Sequence, residues 1–192
     1  MLLKGRDTTV DAQPSRRRAI AVFAGAALGL AFKPSGLAAA PTASPVARSL
    51  DFWHTHTHEN LSVAFADSTG YRAAALGQIN SFLRDFRTRE VHDIDPKLLD
   101  LLHRLAGELD APEPFHVISG YRSPRTNSTL RSKSGGVARY SLHMEGKAID
   151  IRLPGVPLAR LKEAALDLKL GGVGYYPGSD FVHVDTGRVR AW

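Results

Sequence analysis

Cysteine is absent from the 192 residues of this chain. Disulfide bonds and thiolate ligands are therefore excluded, and any metal site must use histidine and carboxylate side chains. Aromatic residues are also few, at 8%, although 43% of the residues are hydrophobic. A chain of this length and composition fits one globular domain whose core can provide stability without covalent cross-links.

Long apolar runs are lacking as well. The uncharged run at residues 19–32 is too short for a membrane-spanning helix. It follows Ser15 and three arginines, and three alanines at residues 38–40 come after it. This order is typical of a signal peptide, and the paired arginines resemble a twin-arginine signal for folded proteins. We therefore expect a leader at residues 1–40 and a linker at residues 41–47, before one domain at residues 48–192. Because Pro41 disfavours cleavage at that point, retention of the leader as an anchor is the alternative.

The positive charge of the chain lies mostly in the leader. The whole sequence has 25 basic and 19 acidic residues, and residues 1–40 contain six of the basic and two of the acidic ones. The remainder therefore carries an excess of only two positive charges. A nucleic-acid partner is not indicated. We expect an exported, periplasmic protein, without a spanning segment in its mature part.

Hydrophobic periodicity predicts an α+β fold with a central, mainly antiparallel sheet and helices packed on it. Apolar residues at three- and four-residue steps predict a helix from about Gly70 to Arg87, and Asp95 with Pro96 predicts the start of a second. Alternation predicts strands at residues 147–153 and 181–185. The alternating histidines and threonines at residues 54–58 predict a solvated strand face. Metal binding by these histidines is the less favoured alternative.

Three side chains are candidate ligands for one divalent metal ion: His143, Asp150 and His183. Alternation on the first strand directs Asp150 to the face opposite Ile149 and Ile151. The Glu145-Gly146 pair predicts a turn that brings His143 back beside Asp150. Two imidazoles and one carboxylate leave a fourth tetrahedral position open, as in catalytic zinc sites.

Other residues are candidates for the chemistry around such a metal. Asp180, three residues before His183, would be the general base that activates water, if the chain bends there. Arg122, on a strand-to-helix turn, would bind a substrate carboxylate or stabilise an oxyanion. Ser141, Asn127 and Arg125 are candidate substrate contacts. A solvated loop is the alternative for Arg125.

At these residues the sequence resembles a known family. The pattern Ser-x-His-x-x-Gly-x-Ala-x-Asp at residues 141–150, followed by Asp-x-x-His at 180–183, is similar to zinc peptidases of the hedgehog-like fold. These include D-Ala-D-Ala dipeptidases and carboxypeptidases of the bacterial wall. The segments beginning Ser119-Gly-Tyr-Arg, Gly172-Val-Gly-Tyr and Phe181-Val-His-Val more closely resemble the YcbK-like exported murein endopeptidases. The resemblance covers roughly residues 48–192.

The resemblance implies a peptidase with one zinc ion per chain that hydrolyses bonds in peptidoglycan cross-links or stem peptides. It assigns His143, Asp150 and His183 as ligands and Arg122 as the arginine near the substrate. Relatives often carry glutamate where this chain has Asp180, which is shorter by one methylene. The alternative function is a zinc-containing module that binds peptidoglycan without cleaving it.

Overall fold

The computed structural model describes residues 47–111 and 113–192, so the expected leader and residues 41–46 of the expected linker lie outside the described residues. The described chain is an α+β domain with four α-helices and an eight-stranded sheet. The strands are β1 (Arg48–His54), β2 (Asn60–Asp67), β3 (Gly70–Tyr71), β4 (Phe115–Ser119), β5 (Ala148–Arg152), β6 (Gly172–Tyr176), β7 (Phe181–Asp185) and β8 (Arg190–Ala191). The helices are α1 (Ala73–Phe82), α2 (Pro96–Glu108), α3 (Pro124–Lys133) and α4 (Leu158–Leu168). Within the described residues, no helix is both long enough and apolar enough to span a membrane.

The sheet is mixed, with the strand order β3-β2-β1-β4-β5-β7-β6-β8. Five neighbouring pairs are antiparallel, and the β1–β4 and β6–β8 pairs are parallel. The expected α+β class is thus confirmed, and the sheet is antiparallel in most of its pairings. The β1–β4 pair is parallel because α1 and α2 lie in the chain between these strands and return it in the same direction, and β6 and β8 are parallel because antiparallel β7 lies between them in the chain.

One face of the sheet packs on the helices and forms the core. The fully buried side chains of the central strands on this face include Val117, Ile149, Ile151, Val182 and Val184. The alternating residues on the opposite face are mostly polar or aromatic, as expected for a sheet with one face on the core. The functional residues described below lie on that second face.

The helix boundaries follow from local capping chemistry. Asp95 caps α2 as expected, because its side chain accepts a hydrogen bond from the backbone N–H of Lys97 at 3.0 Å. The predicted helix from Gly70 to Arg87 is shorter in the structure and ends at Phe82. The carboxylate of Asp85 accepts hydrogen bonds from the backbone of Arg87 and Thr88, which forms a turn in place of another helical turn.

The histidine run does not form the predicted solvated strand face. Strand β1 ends at His54, which is fully buried, and the following residues turn away. The Nδ1 atom of His54 accepts hydrogen bonds from the backbone of His56 and Thr57, at 3.2 and 3.4 Å. His56 instead stacks on Phe86 with ring centroids 4.2 Å apart. His56 and His58 are exposed as expected, but in a turn instead of a strand. The expectation was wrong for His54 because local alternation does not reveal that α1 and the segment after it cover the end of β1.

The burial of His54 leads to a prediction about acid stability. Burial, with repulsion from His56 as a smaller cause, lowers the pKa of His54 from 6.5 to about 4. Between these values the unfolded chain binds a proton that the folded chain excludes, so stability is lost as pH falls from 6.5 through 4. His54→Asn keeps an acceptor near the Nδ1 position but cannot titrate. We expect urea unfolding between pH 6.5 and 4 to show a shallower loss of stability in this variant than in the wild type. Equal pH slopes would contradict this assignment.

Candidate active site

The pairing of β5 with β7 places two of the predicted ligands side by side. Asp150 lies directly opposite His183 in this antiparallel pair. Both side chains project from the face of the sheet that does not contact the helices. Residues directly opposite in an antiparallel pair have Cβ atoms about 4.5–5.5 Å apart, so the register alone brings them within reach of one ion.

His143 reaches the same point by a local turn. It lies in a short 3₁₀ helix, Leu142–Glu145, that ends at Gly146 with a φ of 65°. A side chain at Gly146 would also meet the carbonyl oxygen of Asp93 at 2.0 Å, so only glycine fits there. The chain reverses direction at this turn, so that Asp150 on the following strand β5 lies beside His143. The turn predicted from Glu145-Gly146 is confirmed.

The three side chains converge on one point. His143 Nε2 lies 3.1 Å from both Asp150 Oδ1 and His183 Nδ1, and the last two atoms are 2.9 Å apart. The other nitrogen of each ring has its own partner. His143 Nδ1 donates to the carbonyl of Gly120 at 2.7 Å, and His183 Nε2 donates to Asp185 Oδ2 at 3.0 Å. These partners assign the tautomers.

This donor set fits a metal ion. With the ring protons on the outer nitrogens, two nitrogen lone pairs and one carboxylate oxygen face each other inside a buried group. Because all three facing atoms carry lone pairs and none carries a proton, they repel one another unless a cation lies between them. Ligands bound to zinc at 2.0–2.1 Å in a tetrahedron lie about 3.3 Å apart, close to the distances found here. The fourth direction is open to the cleft.

The electrostatics of the group agree with this geometry. Burial alone would raise the pKa of Asp150, but the adjacent His143 and His183 hold the pKa well below the usual range. Burial lowers the pKa of His143, which favours the neutral, ligating form. Burial also acts to lower the pKa of His183, but hydrogen bonds to Asp150 and Asp185 outweigh it and raise the pKa. Protons therefore compete with a metal mainly at His183.

Arg122 lies beside the ligand group. Its Nη2 atom donates to Asp150 Oδ2 at 3.1 Å and to Ser119 Oγ at 3.3 Å. This contact occupies the oxygen of Asp150 that does not face the histidines. The guanidinium also lines the cleft. Arg122 therefore orients one candidate ligand and presents positive charge to whatever binds in the cleft.

The turn that carries Arg122 is anchored on buried groups. Asp85 is almost fully buried and accepts a hydrogen bond from the backbone N–H of Ser123 at 2.9 Å. Although burial acts to raise the pKa of Asp85, hydrogen bonds from Thr126, Ser123 and Arg87 lower it to about 2. The carboxylate is therefore charged at neutral pH. By holding the backbone of Ser123, the N-cap of α3, the Asp85 carboxylate also fixes the backbone of the preceding Arg122.

Asp180 is not placed beside the metal group, contrary to the sequence-based expectation. Its carboxylate accepts a hydrogen bond from Arg152 Nη1 at 2.8 Å, and its side chain is 64% exposed. Arg152 lies two residues after Asp150 on the same face of β5. Its positive charge holds the carboxylate of Asp180 at this position, away from the three candidate ligands. The neighbours of Asp180, Ser179 and Phe181, line the cleft. The general-base role of Asp180 stays a prediction.

The cleft in front of the three ligands has a volume of about 440 Å³. Of the three predicted substrate contacts, only Ser141 lines it. Asn127 is buried, and its amide donates to the carbonyls of Ala138 and Arg139 at 3.1 and 3.4 Å. Asn127 therefore shapes one wall of the cleft from behind. Arg125 is exposed on α3 and is not among the residues that line the cleft.

The sequence did not indicate several residues that complete the cleft. Tyr176, Phe181 and Trp192 form an aromatic wall, with the rings of Tyr176 and Phe181 stacked at 4.6 Å. Behind His183 lies Asp185, which is fully buried and bonded to Arg190. The alternation of β7 does place Asp185 on the same face as His183, so this pattern could have identified it.

Comparisons with known proteins place this chain in a family. The family model described as "Peptidoglycan L,D-endopeptidase MepK" matches residues 42–192. The peptidoglycan L,D-endopeptidase MepK of Escherichia coli K12 is 43% identical over 183 residues, which cover 95% of this chain and all of that protein. The probable peptidoglycan L,D-endopeptidase MepK of Haemophilus influenzae is 43% identical over 169 residues, covering 88% of this chain and 90% of that protein. The chain therefore belongs to the MepK family of peptidoglycan endopeptidases.

Proposed function

We propose that this protein is a zinc-dependent endopeptidase that hydrolyses peptide bonds in peptidoglycan cross-links. The observation that carries this proposal is the convergence of His143 Nε2, Asp150 Oδ1 and His183 Nδ1 within 3.1 Å at the floor of an open cleft. Three protein ligands with one open position are the arrangement of catalytic zinc sites, whereas structural sites are closed by a fourth ligand.

The residues of the chain have separable roles in this function. Zinc, when bound, supplies Lewis acidity toward the substrate carbonyl and activation of water. Arg122 holds Asp150 in position and offers a cation to charge that develops on the substrate in the cleft. The aromatic wall of Tyr176, Phe181 and Trp192 gives an apolar surface against which a peptide can be oriented.

The names of the relatives define the bond more closely than the sequence pattern does. Both are called L,D-endopeptidases. We extend this to the present chain because the similarity spans its whole described domain. The substrate is then a peptide bond that joins an L-centre to a D-centre inside peptidoglycan.

The same proposal includes the hedgehog-like zinc peptidase fold and an exported location. The leader pattern of residues 1–40, with its paired arginines, supports export of a folded protein to the periplasm. Peptidoglycan lies outside the cytoplasmic membrane, so a wall peptidase must be exported. The leader would either be removed or keep the enzyme at the outer face of that membrane.

Digestion of purified muropeptide dimers by the full chain tests the function. One substrate contains a 3-3 cross-link with an L,D bond and the other a 4-3 cross-link with a D,D bond. We expect mass spectrometry to show cleavage of the first dimer, loss of cleavage after chelation, and recovery on addition of zinc. If zinc binds in a 1:1 ratio and neither dimer is cleaved, the module that only binds peptidoglycan is the better description.

Substitution of Asp180 tests its role as a general base. The exposed ion pair with Arg152 is worth about 1 kcal/mol at most, so the carboxylate is not locked in its present position. If Asp180 is the general base, as the sequence predicts, we expect Asp180→Asn to lower kcat by about 10²-fold or more. A general base contributes about 10²–10⁴-fold. Arg152→Gln is the matched control, because it breaks the same ion pair while keeping the carboxylate. A loss of less than about tenfold in Asp180→Asn, equal to that in Arg152→Gln, would reject the general-base role.

A further inference from the structure

Asp185 is the most completely bonded carboxylate near the site, and its use so far is limited to the tautomer and the pKa of His183. It is fully buried at the end of β7. Its two oxygens accept from His183 Nε2 at 3.0 Å, from both terminal nitrogens of Arg190 at 2.7 and 3.0 Å, and from the backbone N–H groups of Gly172 and Gly187 at 3.1 and 2.9 Å. With five donors, this carboxylate has one fixed orientation.

The Asp185–Arg190 pair occupies space that two neighbouring glycines leave open. A Cβ atom on Gly172 would lie 2.3 Å from Arg190 Nη1 and 2.6 Å from Asp185 Oδ2. A Cβ atom on Gly187 would lie 3.0 Å from Asp185 Oδ1. Glycine at both positions therefore makes room for the paired side chains. The backbone on two sides is fitted to this ion pair, which is unlike an incidental surface contact.

Arg190 connects the pair to the wall of the cleft. Its guanidinium lies 4.7 Å from the ring of Trp192. The indole N–H of Trp192 donates to the hydroxyl of Tyr176 at 2.7 Å, and its ring lies 5.2 Å from that of His183. The C-terminal residues 190–192 thus contact the candidate metal group in two ways, Arg190 through Asp185 and Trp192 through the ring of His183.

We propose that Arg190 is a positioning residue for the metal site, which acts by holding Asp185 against His183. This inference rests on the proposed zinc site. The Asp185 carboxylate keeps the proton of His183 on Nε2 and leaves the Nδ1 lone pair directed at the metal. Arg190 in turn prevents Asp185 from rotating away and neutralises its buried charge. Partners that bond to the outer nitrogen of a ligating histidine orient the ring, and their loss weakens metal binding about 10–100-fold.

The experiment compares Arg190→Gln with Arg188→Gln in the full-length protein. Arg188 is exposed two residues away on the same segment, so its substitution makes the same charge change without touching the Asp185 carboxylate. Zinc affinity is measured by competition with a chromophoric chelator, and the melting temperature is measured without metal. We expect zinc binding to weaken about tenfold or more in Arg190→Gln and to stay at the wild-type value in Arg188→Gln.

Each outcome separates this inference from the proposed function. Failure of the wild type to bind zinc would overturn the proposed function itself. Wild-type zinc affinity in Arg190→Gln would overturn only the positioning role. If Arg190→Gln does not fold, zinc affinity is measured in Arg190→Lys instead. Lysine keeps the charge but cannot make two parallel bonds to Asp185. Zinc affinity in Arg190→Lys between the values of the wild type and Asp185→Asn supports the role, and wild-type affinity rejects it.

Discussion

Asp150→Asn is expected to remove stoichiometric zinc binding and to lower peptidase activity by about 10³-fold or more. The substitution preserves shape but replaces a charged ligand oxygen by a neutral one. A catalytic metal supplies several kcal/mol of transition-state stabilisation, and each 1.36 kcal/mol corresponds to a tenfold change in rate. The half-buried guanidinium of Arg122 also loses its charged partner at 3.1 Å. Zinc content by mass spectrometry and the rate of dimer cleavage would be measured on the same preparation.

Asp51→Asn is the matched control for this prediction. Asp51 is an exposed carboxylate on β1, so its substitution makes the same chemical change away from the ligand group. We expect zinc content and cleavage rate close to those of the wild type. An Asp150→Asn protein that retains one tightly bound zinc and normal cleavage would show that the three converging side chains do not form the catalytic centre.

Arg122→Gln is expected to lower kcat by about 10²-fold while one zinc ion is still bound. Loss of a single positioned donor near developing charge typically costs about 10²–10³-fold in kcat. Because Arg122 also holds Asp150 Oδ2, we expect zinc affinity to fall about tenfold as well. Steady-state kinetics on the dimer, at saturating zinc, separate these two effects.

The kinetic constants also decide between the two roles that the sequence suggested for Arg122. A clamp for a substrate carboxylate would raise KM with little change in kcat, whereas stabilisation of transition-state charge would lower kcat. Its contact with Asp150 leads us to expect the second pattern. Arg125→Gln is the control, since this neighbouring arginine is exposed and does not line the cleft. Equal kinetic constants in the two variants would contradict the role of Arg122.

The pattern of residues along the chain was sufficient to predict β7 and the three candidate ligands. Strand β7 begins and ends where its alternation predicts, at Phe181 and Asp185. The turn before β5 was predictable because a left-handed backbone conformation, here at Gly146, favours glycine regardless of its surroundings. These features depend on residues within a few positions of each other, which a single sequence displays directly.

Contacts between distant segments were not predictable in this way. The sequence suggested Asp180 as a neighbour of the metal, yet it pairs with Arg152, which lies 28 positions earlier. It suggested that the histidines after Trp53 face solvent, yet His54 is buried against Phe82 and Phe86. In each case the partner comes from another strand or helix, and local periodicity contains no information about which segments meet.

The sequence by itself determined the candidate ligand set, the strand that carries Asp150 and the strand that carries His183, because ligand chemistry and strand alternation are properties of local residues. The tertiary structure alone decided how these ligands are oriented. The register of β5 and β7 places Asp150 opposite His183. The carboxylate of Asp185 bonds to His183 Nε2, which leaves Nδ1 facing Asp150, and Arg190 and two backbone amides hold that carboxylate. Such orientation depends on hydrogen bonds between segments, and these exist only once the chain has folded.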